Sequence, residues 1–403
     1  MLFRLEIENF YSIRDKQVID LRVAENVPDE AGRLAPIWGG SNVRAPKVVT
    51  FFGANASGKS NVLKALSFVV WFVQHSFSHP SGSSLPFERF NDQEMLKSPT
   101  RLAVDFAGPA EISRVDDPLV PQCRYSYEFV LSGTTPAYVA AESLHYWPTA
   151  NSRRTKLFQR DSNGNVTGSK AFGLSGFSKV LHKILRPDTS VISTLAQMEH
   201  RFSKFLWQAT GFFRSNILVE HQSIPEKLVQ DLYSQNPNLV EKFNREVERI
   251  DIGIRSMQIQ QGSNGLNPVF AHAGLSLPMP MHYESEGTRQ FIKIYPMLLN
   301  ALENGAVTVI DEIDSKIHPM ILPEILRWFY SSQRNIKNGQ LWVSCHSVSL
   351  LEELAKEEVM FCEKDKMGRT RVYALTDIQS VRRADNLYRK YIGGSFGAVP
   401  HIG

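Results

Sequence analysis

Val48-Val49-Thr50-Phe51-Phe52-Gly53-Ala54-Asn55-Ala56-Ser57-Gly58-Lys59-Ser60 is the stretch on which the reading of the chain turns. It opens with β-branched and aromatic residues, the composition of a buried strand, and continues into the pattern GxxxxGK[ST]. Asn61-Val62-Leu63-Lys64-Ala65-Leu66 then reads as a helix. Strand, glycine loop and helix N-terminus therefore follow one another in the order a phosphate cradle requires. Gly53 and Gly58 allow turns that a Cβ would forbid, so successive N–H groups point at a phosphate, reinforced by the positive end of the helix. Lys59 would reach the β- and γ-phosphates, and Ser60 would offer its hydroxyl to Mg2+. Gly53, Asn55, Gly58, Lys59, Ser60 and Asn61 are the expected nucleotide-binding residues.

A chain of 403 residues can bury a large core and has room for roughly two or three domains. Its 42% hydrophobic and 21% charged content exclude a disordered polymer. The longest apolar run, Val62 to Val73, is broken by Lys64 and Ser67, is too short for a bilayer, and belongs to the helix behind the glycine loop. The opening MLFRLEIENF alternates apolar and charged residues as a half-buried strand does and lacks a signal peptide's apolar core, so a cytoplasmic protein is expected. Cys123, Cys345 and Cys362 are scattered, without a CxxC pair, and read as buried thiols rather than a disulfide framework or a zinc site. A net charge of +4 permits nucleic-acid contact without demanding it. Arg153-Arg154-Lys156 and Arg382-Arg383 read first as solvated faces.

Three regions follow from the pattern. Residues 1–150 alternate short strands (Phe3 to Ile7, Gln17 to Leu21, Arg101 to Phe106, Arg124 to Leu131, Glu142 to Trp147) around the single long helix after Ser60. Past a polar hairpin whose turn is Asn163-Gly164-Asn165, residues 151–282 read as a mostly helical insertion. Within it, Ser223-Ile224-Pro225-Glu226 has a capping pattern, and Val240, Phe243, Val247 and Ile250 form one apolar stripe. Residues 283–403 return to α/β character, with buried strands at Val307 to Ile310 and Leu341 to Ser344.

Both of these strands end in chemistry. Asp311, at the C-terminal end of its strand, is placed to hold Mg2+, and Glu312 beside it can polarise an attacking water. His346, in Ser344-Cys345-His346-Ser347, stands where a γ-phosphate sensor would. Metal ligands are thus expected at Ser60 and Asp311, and catalytic roles at Glu312 and His346. Asp314-Ser315-Lys316-Ile317-His318-Pro319 would carry the acidic site toward a subunit boundary.

Taken together, LEIENFYSIRD, FGANASGKSN, DEID with KIHP, SCHS and the tail YIGGSFGAVPHI resemble the ATPase head shared by the SMC, Rad-fifty and ABC group, and within it the compact bacterial AAA-family ATPases of anti-phage defence cassettes. The resemblance implies an ABC/SMC-type P-loop ATPase head, a mixed α/β sheet with flanking helices and an antiparallel β-lobe, that binds ATP with Mg2+ and hydrolyses it. It also implies a signature turn, for which Ser285-Glu286-Gly287-Thr288-Arg289 has the right order: Ser285 and Gly287 would act in trans on the γ-phosphate of a second copy, giving a homodimer or higher oligomer through an ATP sandwich. SEGTR departs from LSGGQ, which argues against a transporter cassette. The family's glutamine loop has only Gln93 as a weak candidate. No heptads of a long coiled coil are present, nor an acidic cluster for a fused nuclease after His346, so an effector would be a separate nuclease-like or toxin-like chain. The leading expectation is an ATPase whose dimerisation gates such an effector in abortive-infection defence. The alternatives are a DNA-repair ATPase acting directly on DNA and an ATP-stabilised scaffold.

Overall fold

The computed structural model describes the chain apart from residues 30, 118, 135, 150–151, 218–224, 251–252, 263–264, 380 and 400–403. The chain opens with β1 (Leu2–Glu8) and β2 (Gln17–Asp20), passes the short pair β3 (Leu34–Pro36) and β4 (Arg44–Pro46), and reaches β5 (Val48–Phe52). The glycine loop leads from β5 into α1 (Lys59–His75). A meander follows, β6 (Thr100–Pro109), β7 (Gln122–Ser132), β8 (Tyr138–Trp147), β9 (Thr155–Arg160) and β10 (Val166–Gly168). Next come α2 (Ser178–Ile184), α3 (Val191–Gln197), α4 (Arg201–Thr210), β11 (Arg214–Ser215), α5 (Glu226–Ser234) and α6 (Pro237–Ile250). The strands β12 (Ile254–Gly262), β13 (Gly265–His272) and β14 (Met279–Pro280) precede α7 (Glu286–Asn304) and β15 (Val307–Ile310). The chain ends through α8 (Ile321–Tyr330), β16 (Gln340–Ser344), β17 (Val359–Lys364), β18 (Thr370–Ala374) and α9 (Leu387–Ile392).

Among the described residues the principal sheet has the order β11-β15-β16-β5-β17-β18, parallel throughout except for the last pair. β5 and β16 are buried at every position, as strands covered on both faces must be. The pleat divides them: Val49, Phe51 and Trp342 join a core with α1 and the antiparallel sheet, whereas Val48, Phe52, Leu341 and Val343 join a second core with α7 and α8. α1 is therefore held from both sides, its Phe72 ring 4.4 Å from that of Phe129 on β7. Each fully buried side chain of that size contributes about 1.5–3 kcal/mol. This packing fixes the helix whose first residue is Lys59.

The antiparallel sheet, β10-β9-β8-β7-β6-β1-β2, runs across the expected boundary at 150/151, because β9 pairs with β8 and β10 with β9. The expected 151–282 insertion thus begins as sheet; helices start at Ser178, and β12, β13 and β14 form a separate small sheet. Leu157 and Phe158, adjacent on β9 at the register shift opposite Leu144 and His145, are both buried and give the hairpin its place in the sheet. Of the expected stripe on α6, Phe243 and Val247 are fully buried. Ser223 and Ile224 of the expected capping pattern, and residues 400–402 of the quoted tail, lie outside the described residues. Pro296 inside α7 cannot donate to the carbonyl of Ile292, and the Tyr233 hydroxyl of α5 donates to that oxygen instead, at 3.0 Å. No helix among the described residues is long and apolar enough to cross a membrane.

Candidate functional site

The glycine loop leaves β5 at the C-terminal edge of the parallel strands, the place where open α/β sheets present their ligand sites. Gly53 has φ 148° and Gly58 φ 103°. A Cβ on Gly53 would stand 2.2 Å from the Cys362 carbonyl oxygen, and one on Gly58 2.2 Å from Thr370 Oγ1, so the loop is confined from behind and only glycine fits. Inside the turn, Lys59 Nζ donates to the carbonyls of Gly53 and Ala54 at 2.9 and 3.1 Å. Burial lowers the Lys59 pKa, opposed by the thiol of Cys362 and the carboxylates of Asp311, Glu312 and Asp314. A loop so shaped, with an ammonium held in its mouth, fits the phosphates of a nucleotide.

One cavity of about 640 Å3 gathers Asn55, Gly58, Lys59, Ser60 and Asn61 from the loop with Glu312, Asp314, Ser315, His346 and Lys364. Residues distant in sequence meet there because β5, β16 and β15 are neighbours in the sheet. Asp311 is set deeper. Its Oδ1 accepts a hydrogen bond from Ser344 Oγ, which itself accepts from the Glu312 amide at 2.7 Å. Asn216 clamps the same residue through its backbone, accepting from the Asp311 N–H at 2.7 Å and donating to its carbonyl at 2.9 Å. Ser60 and Asp311 supply hard oxygen donors of the kind Mg2+ takes.

Glu312 adopts φ 51°, a left-handed conformation that costs about 1–2 kcal/mol for a residue with a side chain. Its Oε1 lies 3.7 Å from His346 Nε2. A carboxylate and an imidazole so close, both reachable from the cavity, can polarise a water and sense a phosphate oxygen.

Ser285 and Gly287 do not join this cavity. Ser285 caps α7, its Oγ accepting from the Thr288 N–H at 3.1 Å. Gly287 rests on the loop after the acidic pair, where a Cβ would stand 2.3 Å from the Lys316 carbonyl oxygen. Gln93 is exposed, flanked by Asp92 and Glu94, which both bind Arg14, and has no part in the cavity. The basic clusters are engaged locally: Lys156 donates to Gln159 at 3.0 Å and Arg383 pairs with Glu357 at 2.6 Å.

Several residues here carried no assignment from sequence. Ser344 and Asp314 stand in the motifs SCHS and DEID, near the residues singled out, and their position at or just past a strand end was the available signal. Asn216, Lys364 and Thr370 had none, because each arrives from another part of the chain.

Residues 183–352 match the family model described as "AAA domain, putative AbiEii toxin, Type IV TA system". That span holds Ser285, Gly287, Asp311, Glu312 and His346 and begins beyond the phosphate loop. No curated protein matches the chain. Among solved structures, the SMC head domain from Thermotoga maritima is 13% identical at TM-score 0.41, covering 93% of this chain and 98% of that one. An SMC head bound to the C-winged helix domain of ScpA is 14% identical at TM-score 0.45, covering 93% and 99%. An SMC head with an extended coiled coil, bound to the C-terminal domain of ScpA derived from Pyrococcus furiosus, is 12% identical at TM-score 0.42, covering 93% and 97%. At those TM-scores the likeness adds nothing to the strand order. The phosphate loop at the edge of the parallel sheet and the cavity beside it form a candidate nucleotide site, whose second half lies within the span that is similar to the AAA family.

Proposed function

We propose that the chain binds ATP with Mg2+ in this cavity, hydrolyses it, and uses nucleotide-dependent pairing of two copies to gate a separate effector, a nuclease or toxin, in bacterial anti-phage defence. The observation that carries the reading is the single cavity in which Lys59 and Ser60 face Glu312 and His346. In it the loop amides and Lys59 bind the phosphates, Ser60 and Asp311 hold the metal, Glu312 takes a proton from water, and His346 contacts the γ-phosphate. The metal supplies charge that neutralises the phosphate oxygens.

Pairing is supported by the position of Ser285 and Gly287, outside their own chain's cavity yet at a helix N-terminus, where N–H groups and dipole favour an anion. In the dimer each turn would cap the nucleotide of the twin. The defence setting is supported by the description of the matching family, which names a toxin and a toxin–antitoxin system. A cytoplasmic location agrees with that setting.

The test is turnover as a function of protein concentration, with and without Ser285→Trp. Specific activity should rise with dimer formation and collapse in the variant. Full activity from a strict monomer, or from Ser285→Trp, would reject the shared site. Copurification with the product of the neighbouring gene then separates effector gating from direct action on DNA, which would instead appear as partner-free, salt-sensitive stimulation by duplex.

A further inference from the structure

We propose that Asp314, two residues beyond Glu312, is a positioning residue for hydrolysis that holds His346 against Glu312; the inference rests on the ATPase reading above. β16 ends at Ser344, and the Cys345 N–H still donates to Phe51 of β5, at 3.1 Å. The next two N–H groups have no strand to join. Asp314 Oδ2 receives both, from His346 at 2.9 Å and Ser347 at 2.6 Å. Two adjacent amides converging on one carboxylate oxygen fix the backbone that carries the imidazole. The other oxygen, Oδ1, is shielded from solvent, and the carboxylate lies beside the buried Cys345 thiol. A half-buried carboxylate held by two adjacent backbone amides beside a buried thiol calls for an explanation beyond packing.

The same loop holds Glu312. Glu312 (φ 51°) and Lys316 (φ 66°) lie on either side of Asp314 in left-handed conformations, so the segment needs anchors to persist. The Glu312 amide is fixed to Ser344, the Ile313 amide donates to the Ser344 carbonyl at 3.1 Å, and Asp314 ties the segment to the histidine loop. Lys316 meets the signature turn, its Nζ 3.1 Å from Glu286 and its carbonyl under Gly287. Asp314 is thus the side chain through which the acidic loop and the histidine loop share one geometry.

The experiment is a double-mutant cycle on the full chain, reading kcat, KM and ATP affinity for Asp314→Ala, Asp314→Asn, His346→Ala and the combinations. Asp314→Ala should lower kcat by about tenfold to a hundredfold, the scale of a misplaced catalytic group, and change kcat far more than ATP affinity. Asp314→Asn keeps an acceptor for the two amides and should recover most of the loss. In the His346→Ala background the Asp314 substitutions should cost nothing further, because the group they position is gone. Multiplicative losses, or wild-type kcat in folded Asp314→Ala, overturn the inference. Should the alanine variant fail to fold, Asp314→Asn carries the same cycle, with a few-fold loss that vanishes beside His346→Ala. ATP turnover by the wild type and its loss in Glu312→Gln report on the underlying reading separately.

Discussion

Ser12 and Thr370, 358 positions apart, share a hydrogen bond of 2.7 Å directly behind the phosphate loop. Thr370 Oγ1 gives its proton to the Ser57 carbonyl at 2.9 Å, so Ser12 must donate to Thr370, while Asn61 Nδ2 donates to Ser12 at 2.7 Å. The Thr370 N–H closes the ring on the Ser12 carbonyl at 2.8 Å. The turn after β1 and the start of β18 thereby brace both sides of Gly58.

Thr370→Val keeps the shape of this brace and removes its hydroxyl. It should weaken ATP binding by about tenfold, as expected for a lost hydrogen bond of about 1–1.5 kcal/mol that fixes the loop. Calorimetric titration with a nonhydrolysable ATP analogue measures it; wild-type affinity would show that the loop holds its form without the brace.

Lys59→Ala should weaken ATP binding by about a hundredfold or more, since charge-assisted contacts contribute about 1.5–3 kcal/mol each. Glu312→Gln should bind ATP normally, lose about 10²–10⁴ in turnover and accumulate as a dimer. Light scattering with ATP present reads the second outcome. Unchanged affinity in the first variant would reject the cradle, and normal turnover in the second would remove Glu312 from its role.

Tyr233→Phe tests how α7 tolerates Pro296. The substitution leaves the buried Ile292 carbonyl without its donor, and should cost about 1–3 kcal/mol in urea unfolding. A change below about 0.5 kcal/mol would mean that the carbonyl finds another partner.

His145, on β8, has its pKa lowered to about 4 by burial and by the neighbouring charges of Arg154 and Lys156. An unfolded histidine titrates near 6.5, so between about pH 6.5 and 4 the unfolded chain binds the extra proton. Stability from this group is complete above that window and is lost as pH falls through it. His145→Gln should flatten the acid side of the Tm profile; an unaltered slope between pH 7 and 4 would assign the acid sensitivity elsewhere.

Much of this protein was legible in its sequence because the relevant signals are local. Val48 to Phe52 is apolar at nearly every position since both faces of β5 are covered, and Gly53 and Gly58 are glycine since no other residue fits their surroundings. Asp311, Glu312 and His346 stood out because each follows a strand that reads as buried. The pairing of β8 with β9 across residue 150 depends on partners in space, which a change of composition does not record.

The sequence by itself determined the strand, loop and helix that form the phosphate cradle, because their φ/ψ demands and apolar patterns are satisfied by neighbouring residues. Only the tertiary structure decided which side chains stand behind and opposite that cradle. Ser12, Thr370, Asn216, Ser344 and Asp314 act through hydrogen bonds between segments that the order β11-β15-β16-β5-β17-β18 brings together. That order is set by burial of both faces of the sheet at once, a condition on the whole chain.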